Sequence, residues 1–133
     1  MVNRCVMKKF NKHFTLAEAR AMLPQLRHLF AELHARRERA HKADEKLGNT
    51  LTKSGGDIGG KLVAALAADL VALNAEIRQL QERGVVIKDF DRGLVDFPSL
   101  RENREVFLCW ELEEDKIEFF HDIEDGYAGR ERL

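Results

Sequence analysis

The 133 residues are 44% apolar and 34% charged, with 22 Lys and Arg against 23 Asp and Glu and a formal net charge of −1. That balance belongs to a globular chain long enough to bury a core, read as a single domain, 1–133, without a metal or disulfide to hold it. No apolar stretch approaches the ~20 residues that span a bilayer. The opening MVNRCVMKKFNKHF is basic but lacks the apolar run of a signal peptide. Cys5 and Cys109 do not resemble a secreted disulfide framework, so both read as reduced thiols in a cytoplasmic protein. Charge is uneven along the chain: residues 1–53 hold 12 basic and 5 acidic side chains, residues 54–133 hold 10 and 18. The two halves attract, and a basic half this modest is a poor match for nucleic acid, which is not expected as a partner.

Residues 1–14 read as an irregular arm. Thr15 and Glu18 then form the T-x-x-E capping box, each side chain answering a backbone N–H of the first helical turn. Phe14, just before it, is placed to staple onto Ala19. Pro24 removes one backbone hydrogen bond and predicts a kink or a restart in a helix spanning 15–47. Leu26, Leu29, Leu33, Ala40, Ala43 and Leu47 follow heptad-like spacings. The glycine-rich stretch 48–60 reads as a connector. A second helix, 61–84, carries Leu62, Leu66, Leu70, Leu73, Ile77 and Leu80 on its seam, with Gly84 as its C-terminal cap. Two such helices fold back as an antiparallel, coiled-coil-like hairpin. Leu23, Phe30, Val63 and Leu70 make its apolar stripe wider than one partner helix covers, which predicts a homodimer through the helices; a further protein partner would use the same scaffold.

The period then changes to two. Val85–Lys88 and Leu94–Phe97 read as short strands around the turn KDFDRG, the second closed by Pro98. Glu105–Leu112 and Lys116–Ile123 read as a hairpin turning at 113–115. If one face of that hairpin is buried, the favoured register sets Leu112 opposite Ile117, Trp110 opposite Phe119 and Leu108 opposite His121. The tail from Glu124 reads as an ordered or half-ordered loop in which Gly126 supplies a positive φ and Arg130 returns toward the sheet, near Asp122 or the GLVDF strand. The fold class is therefore α+β: a long antiparallel helical hairpin followed by a small antiparallel β-sheet, 85–133.

The segments FTLAEARAMLPQL, GVVIKDFDRGLVDFPSL, REVFLCWEL and HDIEDGYAGR together resemble a prokaryotic family of uncharacterised proteins, domain of unknown function 2203. The resemblance covers nearly everything from Phe14 onward except the glycine-rich connector. It implies a fold and no activity, cofactor or substrate. Members commonly carry tryptophan before the histidine and phenylalanine before A-G-R; here Phe120 and Tyr127 stand there, both aromatic.

The candidate site lies at the end of the chain. His121, Asp122, Asp125 and Arg130, with Trp110 as an aromatic floor, offer imidazole, carboxylates and a guanidinium for a small ligand. His121 and Asp122 suit a divalent metal such as zinc, iron or manganese, with Asp89, Asp91 or Asp96 completing the shell. The plainer reading makes Asp122 and Asp125 turn residues, one of them paired with Arg130. A Cys109–His121 nucleophile–base pair is set aside, because the favoured register points the two to opposite faces. The basic helical segment Arg36, Arg37, Arg39, His41 and Lys42 lacks interleaved aromatics and reads as a solvated face. No Walker loop, dinucleotide fingerprint, G-x-S-x-G elbow or C-x-x-C pair occurs. The leading reading is a non-catalytic interaction or accessory protein with no cofactor. The alternative is a small-ligand or metal-binding domain, or an enzyme, centred on His121, Asp122 and Arg130.

Overall fold

A computed structural model describes residues 9–53 and 58–133, the side chains of 47–53, 58–67 and 69 excepted. Its helices are α1 (Leu16–Ala21), α2 (Leu23–Lys53) and α3 (Ile58–Glu82), and its strands are β1 (Val86–Asp89), β2 (Leu94–Arg101), β3 (Arg104–Glu111), β4 (Phe119–Asp122) and β5 (Glu131–Arg132). The strands form one antiparallel sheet in chain order, so the protein is α+β. The chain divides into two compact units, one taking residues up to Arg27 together with Leu80–Leu133, the other His28–Gln79. Among the described residues no helix is long and apolar enough to cross a membrane. Cys5 lies outside the described residues.

The capping box forms in full: Glu18 N–H donates to Thr15 Oγ1 at 3.1 Å, and Thr15 N–H to Glu18 Oε1 at 2.8 Å. At Pro24 the helix restarts rather than kinks. α1 ends at the Met22 cap and α2 starts afresh at Leu23, which puts the proline in a first turn, where its missing N–H has no intrahelical partner to lose. α2 then continues through Gly48 to Lys53, and α3 begins at Ile58. Both invade the expected connector, with Gly48 in α2 and Gly59 and Gly60 in α3, because each helical glycine costs only about 1 kcal/mol.

Within the helices Leu26, Leu29, Leu33, Ala43, Leu73 and Leu80 are buried. Leu70, expected on the seam, is 57% exposed. Leu47, Leu62, Val63 and Leu66 have side chains outside the described set. α3 ends as its glycine predicts. Gly84 has φ +103°, its N–H donates to Gln81 C=O, and Val85 N–H reaches back to Leu80 C=O. This is the Schellman arrangement, closed by buried Leu80 and Val85.

β2 runs straight through Pro98, which was expected to close it. Pro98 pairs with Phe107 on β3, while its carbonyl, and so its N–H-less nitrogen, faces the other edge. There β1 has already ended, and the carbonyl accepts from Phe14 N–H at 2.7 Å. An edge position is where a strand tolerates proline. The hairpin to β3 turns on Glu102 and Asn103, both at positive φ, as a two-residue turn between twisted strands requires. The tail, expected as a loop, makes one 3-10 turn over Tyr127–Gly129 and then adds β5, with Phe119 opposite Arg132.

The β3–β4 register is the one that the single-face argument rejected. Cys109 lies opposite Phe119, Leu108 opposite Phe120 and Phe107 opposite His121. The hairpin is not buried on one face alone. Every residue from Val106 to Trp110 is buried, so β3 is a central strand covered on both faces, and a one-residue slip carries no burial penalty. The connection decides instead. Glu114 N–H donates to Glu111 C=O, Glu111 N–H to Glu114 Oε1 and Trp110 Nε1–H to Glu114 C=O. Residues 112–118 thus form a structured link rather than a tight turn at 113–115, and β4 starts at Phe119.

Alternation along the strands gives the sheet two distinct faces. One presents Val95, Phe97, Leu108, Trp110 and Phe120. Phe14 packs edge-on to Phe97 there, ring centroids 5.4 Å apart, and Arg27 lies over Trp110. The other presents Asp96, Phe107, Cys109, Phe119 and His121. On that face Phe10 of the arm meets Phe107 at 5.3 Å, and Arg130 covers Phe119 at 4.0 Å. Glu105 ties the arm down by accepting from Lys9 N–H, Phe10 N–H and His13 Nε2 at 2.7, 3.0 and 2.8 Å. Burial alone would raise the Glu105 carboxyl, but the bonds from His13 and the two amides outweigh it and hold it below its ordinary value.

Candidate metal centre

Three adjacent strands place three different ligand types together. Asp96 on β2 pairs with Cys109 on β3, Cys109 precedes Trp110 on the central strand, and His121 stands on β4. All three side chains point to the arm-covered face, all three are buried, and one ligand atom from each lies within 4.8 Å of the others. Asp96 Oδ1 and His121 Nε2 are 3.2 Å apart. A tetrahedral zinc at ordinary bond lengths separates its ligand atoms by roughly 3.3–3.7 Å, so the cluster needs only small rotations to close on an ion.

The protons are arranged to suit that. His121 Nδ1 lies 2.9 Å from the Asp122 carbonyl, and a carbonyl only accepts, so Nδ1 carries hydrogen and Nε2 is the nitrogen turned toward Asp96. A histidine whose second nitrogen donates to a backbone carbonyl is oriented as metal-bound histidines are. Burial pushes the Asp96 carboxyl above its ordinary value against the pull of His121. Burial and then the neighbouring Asp96 charge push the Cys109 thiol up to about 12, while the Arg130 guanidinium, 3.8 Å from Sγ, pulls the other way. Cys109 is therefore an inert thiol by itself, and a coordinating cation is what would deprotonate it.

The cluster forms the floor of a cavity of about 120 Å³, walled by Lys88, Leu94, Asp125, Gly126 and Tyr127. Lys88 Nζ sits 5.1 Å above the Phe107 ring, whose centroid is 5.4 Å from the His121 ring. Asp125 is packed against Gly129, where an added Cβ would come within 2.9 Å of Asp125 Cβ. Gly126 has φ −105° and ψ −162°, ordinary extended backbone, so the expected positive φ is absent.

The five residues singled out from the sequence are split. His121 and Asp125 line the cavity. Asp122, one residue along β4, faces the other way and pairs with Arg104 at 3.0 Å; it offers the centre its carbonyl, to His121, not its carboxylate. Trp110 belongs to the opposite face. Arg130 does return to the sheet, but its fork grips Glu114, at 3.2 and 2.9 Å, rather than Asp122 or Asp125. The guanidinium is sandwiched between Phe119 and Tyr127, at 4.0 and 4.3 Å from the ring centroids. Asp96 was among the supplementary ligands, whereas Cys109 was discarded on the wrong register. The signal that recovers it is the unbroken apolar run VFLCW, which marks a strand buried on both faces.

A family model described as an uncharacterised conserved protein, domain of unknown function 2203, matches residues 12–133. No curated protein and no solved structure matches.

Proposed function

This chain belongs to the domain of unknown function 2203 family, and we propose that it is a metal-binding domain holding one divalent ion, of the zinc class, between Asp96, Cys109 and His121. The observation that carries the reading is the convergence of a carboxylate, a thiol and an imidazole within 4.8 Å at the buried floor of a cavity. Thiolate and imidazole together favour zinc over the hard cations. Three protein ligands leave a fourth position open toward the cavity, the pattern of sites where the ion acts on a bound molecule as a Lewis acid. The test is metal analysis of protein purified without chelator or affinity tag and then incubated with zinc. About one zinc per chain is expected, falling to background in Cys109→Ala and His121→Ala variants that remain folded by circular dichroism. A blank result for the folded wild-type chain would sink the proposal. A free, buried Cys109 also supports a reducing, cytoplasmic setting.

A second observation supports the homodimer. Leu70 and Val71 on α3 are 57% and 70% exposed, adjacent apolar side chains of the kind an interface covers. In this reading α2 and α3 form the antiparallel hairpin and pair with a second copy's hairpin. Light scattering at micromolar concentration should return twice the chain mass, and Leu70→Glu should return the monomer. A monomeric wild type would exclude it.

A further inference from the structure

The geometry points to the ligand class of this centre: a small carboxylate of about four to six heavy atoms, with a hydrogen-bond donor at its far end. The inference rests on the metal reading above. Its first support is volume. A cavity of about 120 Å³ holds the equivalent of roughly four waters at ~30 Å³ each, far below the several hundred cubic ångströms of a drug- or cofactor-sized site.

Its second support is charge. A divalent ion between the Asp96 carboxylate and the Cys109 thiolate leaves a neutral centre. Two cations stand beside that centre: Arg130, which touches Cys109 but is gripped by Glu114, and Lys88 on the cavity wall, whose ammonium lies over Phe107 next to His121 and already acts electrostatically on Asp96. A carboxylate reaching the open coordination position meets Lys88 as well. Asp125 sits on the exposed wall and is packed back against Gly129. Its sign is wrong for the anionic end of a ligand and right for a hydroxyl or amino donor at the opposite end. Tyr127 on the same wall has its hydroxyl committed to Glu111 at 3.1 Å, so it adds surface rather than a free donor.

The experiment titrates glycolate into the zinc-loaded protein by calorimetry, with acetate as the ligand lacking the far donor. Lys88→Ala and Asp125→Ala are titrated alongside, and zinc content is measured in every sample first. Glycolate should bind the wild type at millimolar or lower concentration and at least threefold more tightly than acetate. Lys88→Ala should weaken it tenfold or more. Asp125→Ala should erase the preference for glycolate over acetate with zinc content unchanged, since Asp125 lines the cavity outside the metal ligands. Normal zinc loading with no glycolate binding, or binding indifferent to both substitutions, overturns this inference and leaves the metal centre standing. Failure of the folded wild type to load zinc overturns both.

Discussion

Replacing His121 with alanine is expected to lower the unfolding free energy of the metal-free protein by about 3–5 kcal/mol, the cost of removing one partner from a buried polar pair. His121 is 2% exposed and Asp96 is 2% exposed. The substitution leaves the Asp96 carboxyl without its 3.2 Å contact to Nε2 and the Asp122 carbonyl without its 2.9 Å donor from Nδ1. It also empties a ring's volume beside Phe107. Asp96→Asn should cost much less, about 1 kcal/mol, because the amide N–H₂ can still donate to Nε2. Urea denaturation of the chelator-treated variants separates the two. Near-equal losses for both would mean that the contact is a charged pair, which the isosteric but neutral amide does not replace. The fold does not depend on metal in this account, so the same variants can be assayed for zinc as folded proteins.

Arg130→Ala should cost about 2–3 kcal/mol while leaving zinc content unchanged. The guanidinium makes a two-pronged contact with Glu114 and lies between two aromatic rings. Both partners are largely covered, with 12% and 22% of their side chains exposed. Glu114 is also the residue whose backbone and side chain organise the link from β3 to β4. Losing Arg130 therefore loosens the link between β3 and β4, while the ladder between the two strands still holds Cys109 and His121 in place. Arg130→Lys should recover little of the loss, since an ammonium can neither fork onto a carboxylate nor stack between rings. A destabilisation below 0.5 kcal/mol by chemical denaturation would show that the pair is solvent-screened. A fall in zinc content without any loss of stability would move Arg130 from the scaffold into the site.

Sequence alone was sufficient wherever the controlling interaction is local. The Thr15–Glu18 box, the break at Pro24 and the Gly84 cap each depend on groups a few residues apart, and their chemistry is readable in order. The α+β class and the antiparallel strands followed from the change of period at residue 85, because side-chain alternation is a property of the strand itself. The candidate centre was half legible: a histidine and nearby carboxylates were visible, and Asp96 stood among them. Its third member was decided only in three dimensions. Cys109 joins Asp96 and His121 because β3 is covered on both faces, and which residue of β4 lies opposite Phe107 is set by Glu114 bonds within the 112–118 link. Pro98 likewise continues β2 because β1 ends before it and Phe14 meets its carbonyl. In both places the deciding contact joins segments whose relation no period or spacing records, since burial on the second face and the length of a neighbouring strand exist only once the chain is folded.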